Sequence, residues 1–260
     1  MLRLNHGATS AEHPVQPTFI SYPLDHGLLA DLQPDPRVDL QADRGVDLQA
    51  ERRTDLQADR FPASLSAWNN ARLELKSGAT HFGYVYGGQP VLECAAGRFT
   101  LQPGMYFAAV EAGSIGGAGR GMVVSRWGAR AFFHLGGPIE TTGRLRYIDG
   151  CTDSLLVPPV VKGDACLNLL HIPAGTRQSQ HTHPSYRVGM IVQGHGHCVT
   201  PVGQVALEPG QLFVIRAGGQ HSFHTDQEAL TVIAFHPDSD FGPTHTDHPM
   251  LNRTHLTRST

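Results

Sequence analysis

The chain has few charged residues, few aromatic residues and few cysteines for its 260 residues. Charged residues make up 17 % and the net charge is −3, which excludes a strongly basic face for nucleic acid or an anionic membrane. It contains no run of eighteen apolar residues. The sequence does not open on a basic and apolar leader, so we expect a cytoplasmic protein. The four cysteines show no Cys-x2-Cys spacing and do not suggest a disulfide framework.

Glycine and proline are plentiful instead, with 29 and 18 copies, which favours a turn-rich β protein. From about residue 61 to 136, short apolar runs alternate with glycine turns, as expected for strands of a sandwich or barrel. A second series of apolar runs extends from about 155 to 237. The predicted fold class is therefore all-β.

The first part of the chain has a different character. From Asp31 the sequence repeats with a period of eight, with one leucine in each repeat. Successive leucines would drift by about 80° around a helix, so no continuous apolar stripe forms. We predict that residues 1–62, including the octad repeats at 31–62, are a disordered or weakly helical segment. A partner-binding arm is the alternative.

Three histidines in the later part have a spacing that suits one metal ion. His181 and His183 are one residue apart, so on a strand both would face the same side. His221 follows about forty residues later and can complete the group if its strand closes over the first. Three imidazoles with open positions left for water or substrate are typical of a catalytic metal site.

The residues around these histidines resemble the two motifs of the cupins. The first reads Gly175-x5-His181-x-His183-x3-Arg187-x6-Gly194, and the second reads Gly210-x5-Arg216-x-Gly218-x2-His221-x3-Thr225. All glycines and histidines of both motifs are in register. Arg187, Arg216 and Thr225 depart from the Glu, Pro and Asn of the cupin pattern. The resemblance implies a double-stranded β-helix (jelly-roll) barrel, a metal on His181, His183 and His221, and a homodimer.

The phrase Leu101-Gln-Pro-Gly-Met-Tyr-Phe107 is echoed by Leu207-Glu-Pro-Gly-Gln-Leu-Phe213, which indicates an internal duplication. The chain thus resembles a two-cupin protein with tandem barrels. Counting from the shared Pro-Gly, Ile115 takes the place of His221 in the earlier half. We therefore expect a degenerate cupin without a metal site at 63–150, a metal-binding cupin at 151–240 and a tail at 241–260.

Two further residues are candidates for a catalytic role. Arg187 replaces an anionic ligand by a cation that has no lone pair to offer a metal. It could anchor an anionic substrate, form a structural ion pair or point outward. His224 could be a general base, a hydrogen-bond donor behind the ligands, or a solvated residue.

Three neutral imidazole nitrogens suit Fe(II), Zn, Mn, Ni or Cu. Three-histidine cupins that resemble this chain include Fe(II) thiol and diketone-cleaving dioxygenases, while other cupins use zinc or manganese as a Lewis acid. We expect a metal-dependent enzyme for a small anionic metabolite, with an Fe(II) dioxygenase-type reaction favoured. A Zn or Mn isomerase or lyase and a non-catalytic small-molecule-binding cupin are the alternatives.

Overall fold

The computed structural model describes residues 17–32, 61–161 and 163–238. Most of the octad repeat (33–60) and the tail predicted at 241–260 lie outside these residues. The strands that precede the middle of the chain are β1 (Phe19–Tyr22), β2 (Gly27–Leu32), β3 (Ala63–Asn69), β4 (Leu73–Leu75), β5 (Ala79–Gly88), β6 (Val91–Cys94), β7 (Gly97–Thr100), β8 (Tyr106–Val110), β9 (Gly113–Gly116), β10 (Gly119–Trp127) and β11 (His134–Gly136).

The later strands are β12 (Leu145–Arg146), β13 (Thr152–Val157), β14 (Cys166–Ile172), β15 (Arg187–Gln193), β16 (Gly196–Thr200), β17 (Gly203–Leu207), β18 (Leu212–Ile215), β19 (Ser222–His224) and β20 (Leu230–His236). A single 3₁₀ turn, Ile148–Gly150, interrupts them in the described part of the chain. The all-β prediction is confirmed. The described residues include no helix long and apolar enough to cross a membrane.

The two halves repeat one strand order. The seven-stranded sheet runs β1-β18-β15-β20-β14-β13-β12, and the six-stranded sheet runs β11-β8-β5-β10-β3-β2. The order β18-β15-β20-β14-β13 thus corresponds to β8-β5-β10-β3-β2. Each half adds a smaller sheet, β17-β16-β19 in the later half and β4-β9-β6-β7 in the earlier half. Because β12 pairs with β13, it belongs to the later half although it precedes residue 151.

One close contact recurs in both halves. A Cβ added at Gly83 would lie 2.1 Å from the ring of Phe107, and one added at Gly189 would lie 2.4 Å from the ring of Phe213. Both glycines precede their phenylalanine by the same number of residues. The absence of a side chain lets each ring lie flat across the neighbouring strand of the large sheet. The shared contact supports the duplication that the repeated Pro-Gly phrase indicates.

The prediction of a disordered or weakly helical segment at 1–62 is wrong for residues 19–22 and 27–32, which form strands. Strand β1 pairs with β18 of the later half, and β2 pairs with β3 of the earlier half. Phe19 is buried and stacks on Phe213 at 5.2 Å between ring centroids. The short runs 19–22 and 27–32 lack a clear alternation in sequence, so only the exposed edges of the two large sheets specify them as strands.

The two large sheets pack against each other through one hydrophobic core. Phe82 of β5 contacts Phe235 of β20, with ring centroids 5.1 Å apart. Met122 and Leu167 belong to the same fully buried cluster. Burial of large apolar side chains from both halves makes a common core, so the halves stabilise each other.

This common core predicts a large effect of one substitution. Phe235 is fully buried, whereas Phe132 is 73 % exposed. We expect Phe235→Ala to lower the free energy of unfolding by about 3–5 kcal/mol, because the cavity cannot collapse between two sheets. Phe132→Ala is the matched control and should change it by less than about 0.5 kcal/mol. Urea unfolding of both variants measures this, and equal losses would contradict a shared core.

Candidate metal centre

Backbone hydrogen bonds hold the three histidines in place. The N–H of His181 donates to the carbonyl of His221 at 3.0 Å, and the N–H of His221 donates back to His181 at 3.0 Å. The N–H of Gly218 donates to the carbonyl of His183 at 2.7 Å. His181 and His183 thus lie in an extended loop before β15 rather than on a strand, yet the bridge gives them the alternation that the sequence predicted.

The imidazole rings converge on one point. Ring centroids are 4.5 Å apart for His181 and His221, 5.0 Å for His181 and His183, and 5.2 Å for His183 and His221. One ligand nitrogen from each ring lies within 4.8 Å of the other two. Two nitrogens bound to one ion at about 2.1 Å can be at most about 4.2 Å apart. Small ring rotations therefore bring the set to metal-binding distances.

Two of the rings have a fixed tautomer. Nδ1 of His181 lies 2.8 Å from the carbonyl of Ser179, and Nδ1 of His221 lies 2.9 Å from the carbonyl of Gly219. A carbonyl can only accept, so each Nδ1 carries the proton and each Nε2 keeps its lone pair. This is the arrangement of metal-binding histidines whose second nitrogen is held by the backbone. The chemistry of this donor set fits a divalent ion.

Burial keeps the imidazoles of His183 and His221 neutral. It lowers the pKa of His221 to about 4, and the hydrogen bond to Gly219 offsets only part of this effect. Burial, followed by the nearby Arg187 guanidinium and the other imidazoles, lowers the pKa of His183 far below its ordinary value. A neutral imidazole is the form that binds a cation, so these nitrogens are available to a metal at pH 7.

Thr225, at the position where the cupin pattern has Asn, links two segments of the site by hydrogen bonds. It is fully buried; its Oγ1 donates to the carbonyl of Pro173 at 2.5 Å and accepts from the N–H of Thr176 at 3.0 Å. The segment that follows His221 is thereby joined to the loop that leads to His181. Gly194 turns the chain with φ +80°, and a Cβ there would lie 1.8 Å from the carbonyl oxygen of Ala229.

Arg187 lines the same cavity as the three histidines, so the outward orientation is wrong. The cavity has a volume of about 60 Å³ and lies inside the later half. Arg187 is only 4 % exposed. Its Nη1 donates to the carbonyl of Ser185 at 3.2 Å, to the Ser185 hydroxyl at 2.6 Å and to the carbonyl of Tyr186 at 2.9 Å.

The charge of Arg187 has no carboxylate partner. Its Nε is buried without a hydrogen-bond partner, and none of the described acidic residues forms an ion pair with it. Burial lowers the pKa of Arg187, and the buried Asp238 carboxyl is the largest influence in the opposite direction. A structural ion pair is therefore not formed in the described part of the chain. A buried guanidinium without a partner is costly unless an anion joins it.

His224 lies outside the cavity. It belongs to β19, whose pairing with β16 is regular, so Phe223 faces the cavity and His224 faces away. Its Nε2 is 3.1 Å from the hydroxyl of Ser222 on the same face. The candidate catalytic role would have required a bulge in this strand, and the structure has none there.

Four other polar residues line the cavity that the motifs did not identify: Tyr147, Asp153, Gln178 and His236. His236 ends β20, and burial, followed by the nearby Arg187 guanidinium, lowers its pKa well below the ordinary value. Tyr147 and Asp153 flank the 3₁₀ turn before β13, where no motif residue stands. Nothing in the local sequence distinguishes Asp153 from a surface acid, because only the pairing of β13 with β14 places its side chain in the cavity.

The earlier half has apolar residues at the positions of the ligands. Leu73 pairs with Ile115, as His181 pairs with His221, and Leu75 is buried in the same cluster. His81 stands at the position of Arg187 and is fully buried. Its Nδ1 is 2.8 Å from the hydroxyl of Ser125 and its Nε2 is 2.9 Å from the carbonyl of Lys76. Across the described residues, the three-histidine group is the one cluster of metal-binding side chains.

Burial lowers the pKa of His81, which predicts a pH effect on stability. Below pH ~6.5 the unfolded chain binds a proton that the folded chain refuses, so stability falls with falling pH. As the pH falls through this window, the free energy of unfolding of metal-free wild type should decrease by up to about 1.4 kcal/mol per pH unit more than that of His81→Gln. His197→Gln, at an exposed position, serves as the control. Urea unfolding at several pH values measures the slopes, and parallel slopes would contradict the prediction.

Comparison with known proteins agrees with this architecture. Residues 168–236 match the family model described as "Cupin domain". The matched residues extend from β14 to β20 and include His181, His183 and His221. No curated protein sequence matches the chain.

Solved structures show the same fold over a longer stretch. A protein of unknown function from Pseudomonas syringae pv. tomato has a TM-score of 0.54 at 12 % identity, covering 85 % of this chain and 100 % of that one. Protein Ylba from E. coli has a TM-score of 0.52 at 14 % identity, covering 71 % and 79 %. A "Cupin 2 conserved barrel domain protein" from Leptotrichia buccalis has a TM-score of 0.50 at 12 % identity, covering 67 % and 82 %. At these identities the likeness concerns the fold alone.

Proposed function

We propose that the cupin domain is a metal-dependent enzyme that acts on a small anionic metabolite. One observation supports this most: three imidazoles and one guanidinium without a carboxylate partner face the same buried cavity. A structural core would fill such a space with apolar side chains, as the earlier half does with Leu73, Leu75 and Ile115. We infer that the earlier half is a second cupin that serves the fold and binds no metal.

His181, His183 and His221 would hold the ion. A bound ion supplies Lewis acidity or, as Fe(II), a route to oxygen chemistry. Imidazole ligands are uncharged, so a set of three histidines without a carboxylate ligand would not reduce the positive charge of the bound ion. Fe(II) and a dioxygenase-type reaction are our first proposal, because the ligand set resembles that of the three-histidine dioxygenase cupins.

Arg187 would bind the negative end of the substrate. Its Nη1 is fixed by the backbone of Ser185 and Tyr186, so the guanidinium plane is held in one orientation. Nε remains free for an acceptor oxygen. A carboxylate oxygen there would satisfy the buried donor and neutralise the charge at once. The cavity volume of about 60 Å³ restricts the ligand to a small molecule.

The second candidate is a Zn or Mn isomerase or lyase, which is favoured by the acidic side chain of Asp153 in the same cavity. A test compares protein loaded separately with Fe(II), Zn or Mn against a panel of small carboxylates. The first proposal predicts oxygen consumption with Fe(II) that His181→Ala abolishes. Product formation with Zn or Mn and no oxygen consumption would support the second. Tight retention of an unchanged small molecule with every metal would overturn both and indicate a binding cupin.

A further inference from the structure

We propose that Asp153 is the proton-transfer residue of the cavity and that Asn168 positions it. In the protonated form, Oδ2–H gives its proton to a basic oxygen of the bound anion and leaves a carboxylate; in the reverse direction Oδ2 accepts the proton. The step is a proton transfer, in which no group is oxidised or reduced. The inference rests on the proposed function only for the presence of a small anion in the cavity.

The strand register directs Asp153 into the cavity. Asp153 of β13 lies opposite Leu170 of β14, and Leu170 lies opposite Val232 of β20. All three side chains line the cavity that contains the histidines. Because alternate residues share one face of a sheet, these positions form a continuous row across three strands. The carboxyl therefore belongs to the wall of the metal cavity and not to the outer surface.

Its hydrogen bonds leave one oxygen available. The side-chain amide of Asn168 donates to Oδ1 of Asp153 at 2.8 Å. No donor in the described part of the chain reaches Oδ2, and no arginine, lysine or histidine there forms an ion pair with this carboxyl. A purely structural carboxylate at this depth would be expected to have a cation or several donors. One donor on one oxygen fixes the orientation of the group and leaves the other oxygen to react.

Both protonation states of the Asp153 carboxyl are populated near pH 7, as proton transfer requires. Burial raises the pKa of Asp153 to about 7, and the hydrogen bond from Asn168 counters this only in part. A general acid–base group works best when its pKa is near the working pH. Tyr147 and Cys166 are close enough for their own pKa values to respond to Asp153. The other titratable or charged groups that line the cavity are His181, His183, Arg187, His221 and His236.

The test uses the full chain loaded with zinc and labelled with ¹³C at the aspartate carboxyls. Formate is the probe anion. The carboxyl resonances are followed by NMR from about pH 4 to about pH 9 with and without formate. Calorimetry in two buffers of different ionisation enthalpy then measures the proton uptake that accompanies formate binding at pH ~7. The variants are Asp153→Asn, Asp153→Glu and Asn168→Ala, with Glu208→Gln, an exposed acid outside the cavity, as control.

In wild type and Glu208→Gln, one resonance should titrate with a midpoint near pH 7, and formate should raise that midpoint. Formate binding at pH ~7 should be accompanied by the uptake of at most about half a proton per chain. Asp153→Asn should lose both signals while still binding formate, Asp153→Glu should retain part of the proton uptake, and Asn168→Ala should shift the midpoint. If Asp153→Asn does not fold, the wild-type titration and Asp153→Glu carry the test.

Two failures can be told apart. Formate binding that leaves the Asp153 resonance unchanged, or equal proton uptake by Asp153→Asn, would overturn the inference and leave the proposed function standing. Failure of zinc-loaded wild type to bind formate would overturn the anion part of the proposed function and, with it, this role of Asp153.

Discussion

Replacing His181 by alanine is expected to abolish stoichiometric metal binding. Wild-type protein should retain about one divalent ion per chain after dialysis, because one ligand nitrogen from each of three imidazoles lies within 4.8 Å of the other two, and backbone carbonyls orient two of the rings. Removing one of three ligands should weaken the affinity by more than about 100-fold, since loss of an outer-shell partner alone weakens metal sites by 10–100-fold. Elemental analysis and a competition titration with a chromophoric chelator measure both quantities.

His224→Ala is the matched control for this experiment. His224 is close to His221 in sequence but faces away from the cavity and contacts Ser222. It should keep the wild-type metal content and affinity. Equal losses in the two variants would point to a general disturbance of β19, and wild-type protein that binds no metal under any loading would rule out the enzyme proposal.

Replacing Arg187 by methionine is expected to separate anion binding from stability. Hydrogen bonds to charged groups contribute about 1.5–3 kcal/mol, so formate affinity should fall about 10–150-fold. The same substitution removes a buried charge that has no described ion-pair partner, so the free energy of unfolding should stay level or rise by about 1–3 kcal/mol. Formate titration and urea unfolding are measured on the same zinc-loaded samples.

A structural role for Arg187 predicts the opposite pattern. Breaking a buried ion pair would cost about 3–5 kcal/mol, and formate binding would change only as far as the fold does. Arg187→Lys gives a further distinction, because lysine keeps the charge but lacks the planar fork that binds two oxygens. Arg98→Met, at an exposed arginine paired with Glu93, should leave both formate binding and stability close to wild type.

The cluster of three histidines was predictable because glycines fix its frame. Gly175, Gly194, Gly210 and Gly218 all have positive φ, a conformation that few other residues adopt. Such positions leave a clear trace in sequence at fixed spacing from the histidines. The apolar residue at the corresponding position of the earlier half was predictable for the same reason, since Ile115 occupies the frame position of His221.

The contributions of Asp153 and of residues 19–32 were not predictable from local pattern. Asp153 becomes part of the cavity only through the pairing of β13 with β14, and β1 and β2 become strands only because sheet edges of the two halves accept them. His224 shows the converse: its spacing after His221 suggested a role, and regular alternation in β19 turned it away.

The sequence by itself determined an all-β chain, a repeated half and a cluster of three imidazoles, because strand alternation and glycine turns are local properties of the backbone. The tertiary structure decided what surrounds those imidazoles: a guanidinium held by the backbone without a carboxylate partner, and a carboxyl with one free oxygen. Whether a charge is compensated depends on its distance from groups on strands that are far apart in the chain, and the energetic cost of an uncompensated charge depends on its burial. Neither the distance nor the burial can be predicted from the order of residues.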